Sequence, residues 1–140
     1  MAFGMEIDMT DNTQPTIRLS DLPTIGKPLD GGHFAGITTN FKGQHYAVVL
    51  LPEQGSDLTH AKAKAWAKKL GGELPTRPVA AMLFANLKKL LREEWHWTAD
   101  TQGASYAWGC YFDRGGQYVD RKSFEGSAVA VRYITIGDSK

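Results

Sequence analysis

Ser105-Tyr106-Ala107-Trp108-Gly109-Cys110-Tyr111-Phe112-Asp113-Arg114-Gly115-Gly116-Gln117-Tyr118-Val119-Asp120 decides the fold class of this chain. From Tyr106 to Phe112 the residues follow the two-residue rhythm of a strand. That rhythm puts Trp108, Cys110 and Phe112 on one face and Tyr111 on the other. Gly115-Gly116 supplies a turn into a second strand, predicted from Gln117 to Lys122. The chain around this segment, Trp95 to Ile136, is also aromatic, glycine-rich and strand-like. Trp97-Thr98-Ala99 is predicted to open a short strand, Asp100-Thr101-Gln102-Gly103 to form a loop, and Ala128 to Ile136 to form the last strand.

Upstream the periodicity is helical. Leu58, Ala61, Ala65, Trp66 and Leu70 recur at helical spacing behind Ser56 or Asp57, either of which can cap a helix. Lys62, Lys64, Lys68 and Lys69 fill its wet side, and Gly71-Gly72 ends it. A second helix is predicted to start after Thr76 or Arg77, with Pro78 in its first turn. Val79, Met82, Leu83, Leu87, Leu90 and Leu91 form its buried stripe. Before both helices, His33 to Thr39 and Gln44 to Leu51 read as a hairpin turning at Lys42-Gly43, with Pro52 stopping the second strand. His33 and His45 are expected to oppose one another across it. Leu22 to Asp30 is a turn-rich lead-in, and residues 1–21 read as a flexible arm ahead of a domain over 22–140. Two helices between early strands and a late antiparallel set predict an α+β domain, two helices packed on mostly antiparallel strands, with its ends close together.

Composition narrows the function classes. The 140 residues suit one domain, and 42% hydrophobic with 22% charged residues is the balance of a globular chain. A net charge of +1 with scattered Lys and Arg gives no basic stripe, so no specific nucleic-acid partner is expected. No run approaches the ~18 apolar residues of a membrane span. Met1 to Asp8 has neither a basic n-region nor an apolar h-region, so the expected place of synthesis is the cytoplasm, without a signal peptide. The single cysteine, Cys110, allows neither an intrachain disulfide nor a zinc site built on several thiolates.

Leu74-Pro75-Thr76-Arg77, a helix, and then Glu94-Trp95-His96-Trp97-Thr98 resemble a bacterial and phage domain family that includes the C-terminal domain of a collagen-like adhesin. Ser105-Tyr106-Ala107-Trp108, Phe112 with Asp113, and Gly115-Gly116 continue the similarity. Lys122-Ser123-Phe124-Glu125-Gly126 followed by Ala130-Val131-Arg132 completes it, so that it covers roughly residues 25 to 136. The resemblance implies a C-type-lectin-like fold, a phage or prophage setting, and binding rather than catalysis, with sulfated polysaccharides as one ligand class. Lectins of this fold bind sugars through calcium with a Glu-Pro-Asn or Gln-Pro-Asp loop and a Trp-Asn-Asp triplet, and this sequence has neither.

The remaining chemistry is sparse. Asp100, Asp113 and Asp120 are spread across separate segments, whereas calcium needs six or more clustered oxygens. Cys110 reads as a small buried hydrophobe. His33, His45, His60 and His96 lack ligand spacing and read as surface or packing residues. Arg77 and Arg132 read as structural charges, Arg132 in a central strand with Glu94 or Glu125 as its partner. Trp66, Trp95, Trp97 and Trp108 read as core. Tyr106, Tyr111 and Tyr118, near Asp113, Arg114 and Gln117, form either an amphipathic recognition surface or a half-buried sheet face. The candidate ligand-binding set is Asp100, Gln102, Ser105, Tyr106, Tyr111, Asp113, Arg114 and Tyr118, joined by Thr101. No catalytic, metal or cofactor residues are assigned.

The expected function is a non-enzymatic, calcium-independent module that recognises a protein or glycan. A small structural or assembly protein, virion-associated or a tail accessory, is one alternative. An intracellular phage effector that inhibits a host protein is the other. Homo-oligomerisation is compatible with each.

Overall fold

The computed structural model describes residues 15–137 as two helices and a mostly antiparallel sheet of eight strands, an α+β arrangement. In chain order these are β1 (Thr16–Ile17), β2 (Pro28–Leu29), β3 (Gly32–Thr39), β4 (His45–Leu58), α1 (His60–Lys69), α2 (Arg77–Leu87), β5 (Trp95–Gln102), β6 (Tyr106–Tyr111), β7 (Gln117–Arg121) and β8 (Gly126–Ile136). The sheet runs β2-β3-β4-β8-β5-β6-β7, with β1 added alongside β8. β8 ties the molecule together. It pairs antiparallel with β4, in parallel with β5 through His96 and Ser127, and in parallel with β1 through Thr16 and Thr135. The two ends of the described chain are therefore hydrogen-bonded neighbours. β1 falls inside the stretch read as an arm, and residues 1–14 of that stretch lie outside the described residues.

The sheet has a helix on each face, which explains the unbroken apolar run in β4. Ala47, Val49 and Leu51 point into a core with Ala63 and Ala67 of α1, while Val48 and Leu50 point into a second core with Val79, Leu83 and Leu87 of α2. β8 divides in the same way, with Ala128, Ala130 and Ile134 on the α1 side and Val129 and Val131 on the α2 side.

Several expectations are corrected. β4 does not stop at Pro52 but continues to Leu58. The register shifts between Leu50 and Gln54, so Pro52 sits in an irregularity where its missing N–H breaks no ladder bond. Thr59, rather than Ser56 or Asp57, caps α1, its hydroxyl accepting from the Lys62 amide. The buried face of α1 is His60, Ala63 and Ala67, while Ala61 and Ala65 are exposed. In α2, Thr76, one of the two expected starts, is the cap as read, but Ala80 joins the buried stripe, and Leu90 lies beyond the helix and is exposed. His33 pairs with Leu50 and His45 with Thr39, so the two histidines stand at opposite ends of the β3–β4 hairpin. Arg132 is only partly buried and pairs with Asp30 at 3.0 Å, not with either predicted glutamate. Asp100 to Gln102 is strand rather than loop, because β5 re-registers on β6 between Trp97 and Thr101 and continues.

Candidate functional site

An aromatic series crosses the α1-side face of β5, β6 and β7. Tyr118 meets Tyr111 at 6.2 Å between ring centroids, Tyr111 meets Trp95 at 5.3 Å, and Trp95 meets Trp97 at 5.6 Å. Trp97 ends the series against His60 of α1 at 5.1 Å. All four contacts are edge-to-face, the geometry preferred by rings with a negative face and a positive rim. Register produces the series: Trp95 pairs with Tyr111, and Gly109 lies opposite both Trp97 and Tyr118. A Cβ at Gly109 would overlap the Trp95 indole, so this glycine is the gap that lets the ring lie across the sheet.

Burial changes along the series. Trp97 is fully buried and Trp95 nearly so, but Tyr111 is 42% and Tyr118 59% exposed. Phe124, in the turn before β8, flanks both tryptophans and is also exposed. The inner end of the series is core and the outer end is surface. Tyr111 and Tyr118, with Asp113, Arg114 and Gly116, line an open cleft of about 400 Å³ at the β6–β7 turn. That turn is held by the Tyr111 amide donating to the Gly116 carbonyl and the Gly115 amide to the Tyr111 carbonyl. Gly115 has φ +84°, a conformation glycine adopts without a Cβ clash.

The eight predicted residues therefore fall into separate places. Tyr111, Asp113, Arg114 and Tyr118 converge on the cleft just described. Ser105 and Tyr106 lie at the opposite end of the β6–β7 hairpin, lining a cavity of about 470 Å³ with Arg121, Lys122 and Ser123. Tyr106 shares the Trp108 face, away from Tyr111. Gln102 pairs with Tyr106 and Thr101 with Ala107, both exposed at the end of β5. Asp100 is turned toward α2, where its carboxylate accepts from the Arg77 amide at 2.7 Å.

Arg77, Cys110 and His60 are held in contacts within the fold. The Arg77 guanidinium stacks 3.5 Å over Trp108, its Nε donates to Gln117 Oε1, and Gln117 Nε2 donates back to the Arg77 carbonyl. These contacts fix the start of α2 to β7. Cys110 is fully buried, and burial pushes its thiol up to about 11. His60 donates from Nε2 to the Thr98 carbonyl, and burial lowers its pKa.

Sequence reasoning missed Phe124, although an aromatic in the polar turn Lys122-Ser123-Phe124-Glu125 is a readable signal. It also missed a cleft of about 450 Å³ on the α2 side, lined by Tyr46, Glu73, Thr76, Asp100 and Tyr133 among others. Those residues come from four segments, β4, the link between the helices, β5 and β8, so no local pattern unites them. No family model and no curated protein matches the chain.

Proposed function

We propose that the protein is a non-enzymatic binding module that recognises a glycan, without calcium, through Tyr111, Tyr118, Asp113 and Arg114. The observation that carries this reading is the exposed outer end of the aromatic series. Tyr111 is packed on buried Trp95 and Tyr118 on Tyr111, so the rings are pre-ordered and little side-chain freedom is lost when a ligand covers them. Tyrosine faces offer apolar contact to a sugar ring, and Asp113 and Arg114 offer an acceptor and donors for its hydroxyls or an anionic substituent. Among the described residues, no three His, Cys, Asp or Glu side chains are grouped to hold a metal ion. No helix in them is long and apolar enough to cross a membrane.

The finer fold is proposed to be C-type-lectin-like, and the setting a phage or prophage. The paired ends of the chain and the two helices flanking one sheet support that fold, and the motif resemblance supports both. The assembly alternative, in a virion or tail or as a homo-oligomer, draws on one observation. Phe41, at the tip of the β3–β4 hairpin, is 97% exposed. An intracellular effector blocking a host protein has no comparable feature behind it.

A glycan array and a pull-down from host lysate test the reading together, each run with and without a calcium chelator. Binding is expected on the array, unaffected by chelation. Tyr118→Ala should weaken it by about 1–2 kcal/mol while changing stability by less than about 0.5 kcal/mol. Wild-type affinity in both Tyr118→Ala and Arg114→Ala would show that the ligand sits elsewhere.

A further inference from the structure

The α2-side cleft is built differently from the tyrosine face. Its floor is the sheet, where Tyr46 of β4 and Tyr133 of β8 meet edge-to-face at 6.3 Å. Its rim carries Glu73 and Asp100, and Pro78 and Val79 of the first turn of α2 close one side. At about 450 Å³ it has the size of a small-ligand site.

A helix N-terminus would ordinarily make such a cleft a place for anions, because its first amides point outward unpaired. Here those donors are used. The Arg77 amide donates to Asp100, Pro78 has no N–H, the Val79 amide donates to Thr76 Oγ1, and the Ala80 amide donates to the Thr76 carbonyl. No Lys, Arg or His lines the cleft among the described residues, and neither Glu73 nor Asp100 forms an ion pair there. Thr39 Oγ1 bonds His45 Nδ1, and the Asn40 amide nitrogen bonds Gln44 and Tyr46. The charged groups that line the space are the two carboxylates, Glu73 and Asp100, with the Tyr46 and Tyr133 side chains beside them.

We propose that this cleft binds an organic cation, an ammonium or guanidinium group held over Tyr46 and Tyr133 and neutralised by Glu73 and Asp100. Ring faces attract cations most strongly where water is displaced, and the carboxylates add the opposite charge. The Tyr133 phenol, driven up to about 12 by burial and then by the Glu73 charge, stays neutral and keeps its ring available. The cation belongs either to a free amine or to a Lys or Arg side chain of a partner protein. This site is independent of the glycan reading and stands or falls separately.

Calorimetry or NMR titration of the full chain with choline, its uncharged tert-butyl analogue, inorganic phosphate, and capped lysine and arginine tests the proposal. At least one cation should bind about tenfold more tightly than the tert-butyl analogue. Binding by choline alone would point to a free amine, and binding by capped lysine or arginine to a protein side chain. Glu73→Gln and Asp100→Asn should each weaken that cation about tenfold at unchanged thermal stability, since asparagine keeps an acceptor for the Arg77 amide. Equal or tighter binding of the tert-butyl analogue or phosphate would overturn the proposal. So would the absence of binding at millimolar cation, or full affinity in both variants.

Discussion

His96 occupies a position where its charge is excluded. It is fully buried between β5 and the Phe112 ring, with Nδ1 donating to the Glu94 carbonyl and Nε2 buried without a partner. Burial pushes its pKa from 6.5 down to about 4. The unfolded chain takes up a proton below about pH 6.5, and the folded chain does so only near pH 4. Stability from neutral His96 is therefore full above about pH 6.5 and falls as the pH drops toward 4, a loss of ~3 kcal/mol. Urea midpoints across this interval should fall less steeply in His96→Asn than in wild type. Parallel slopes would mean that carboxylates carry the whole effect. Cys110 gives a second check at this scale. With its thiol buried and its pKa near 11, it should react with a thiol reagent at neutral pH only when the chain unfolds. Prompt labelling of native protein would show that β6 opens.

At the scale of the element, the β5–β6 pairing controls whether the aromatic series exists. Trp95 lies in the gap left by Gly109 and also packs against Gly126. Gly109→Ala should displace the indole and cost about 1–3 kcal/mol by overpacking. Thermal unfolding read by tryptophan fluorescence measures that cost, and an unchanged midpoint would show that the ring has room. This register also marks how far the sequence could be read. The alternation from Tyr106 to Phe112 correctly separated exposed Tyr111 from buried Cys110 and Phe112. Asp100 was misplaced because polar residues at a strand end look like a loop, and only the ladder to β6 shows that they continue it. The irregularity at Pro52 was hidden for the same reason, since a register shift belongs to two strands at once. In α1, alanines satisfy the helical period on two faces, and only the packing against β4 and β8 chooses Ala63 and Ala67.

Across the whole molecule, one sheet with a helix on each face leaves two surfaces of different chemistry. α1 packs against β4, β8 and β5, and the outer end of the aromatic series is left in water. α2 packs against β3, β5 and β6, and its first turn walls the carboxylate-lined cleft. The α+β class was legible because it depends on the order of helical and strand periodicities. The four-residue convergence at the β6–β7 turn was legible because it is local. The Tyr46–Tyr133 cleft was not, since it needs β8 to return beside β4. The tyrosine face is tested most directly by hydrogen exchange of the chain alone and with the glycan selected on the array. Added protection is predicted between Gly109 and Tyr118, with the β4–β8 region unchanged. Protection confined to another surface, with the exchange between Gly109 and Tyr118 unaltered, would contradict it.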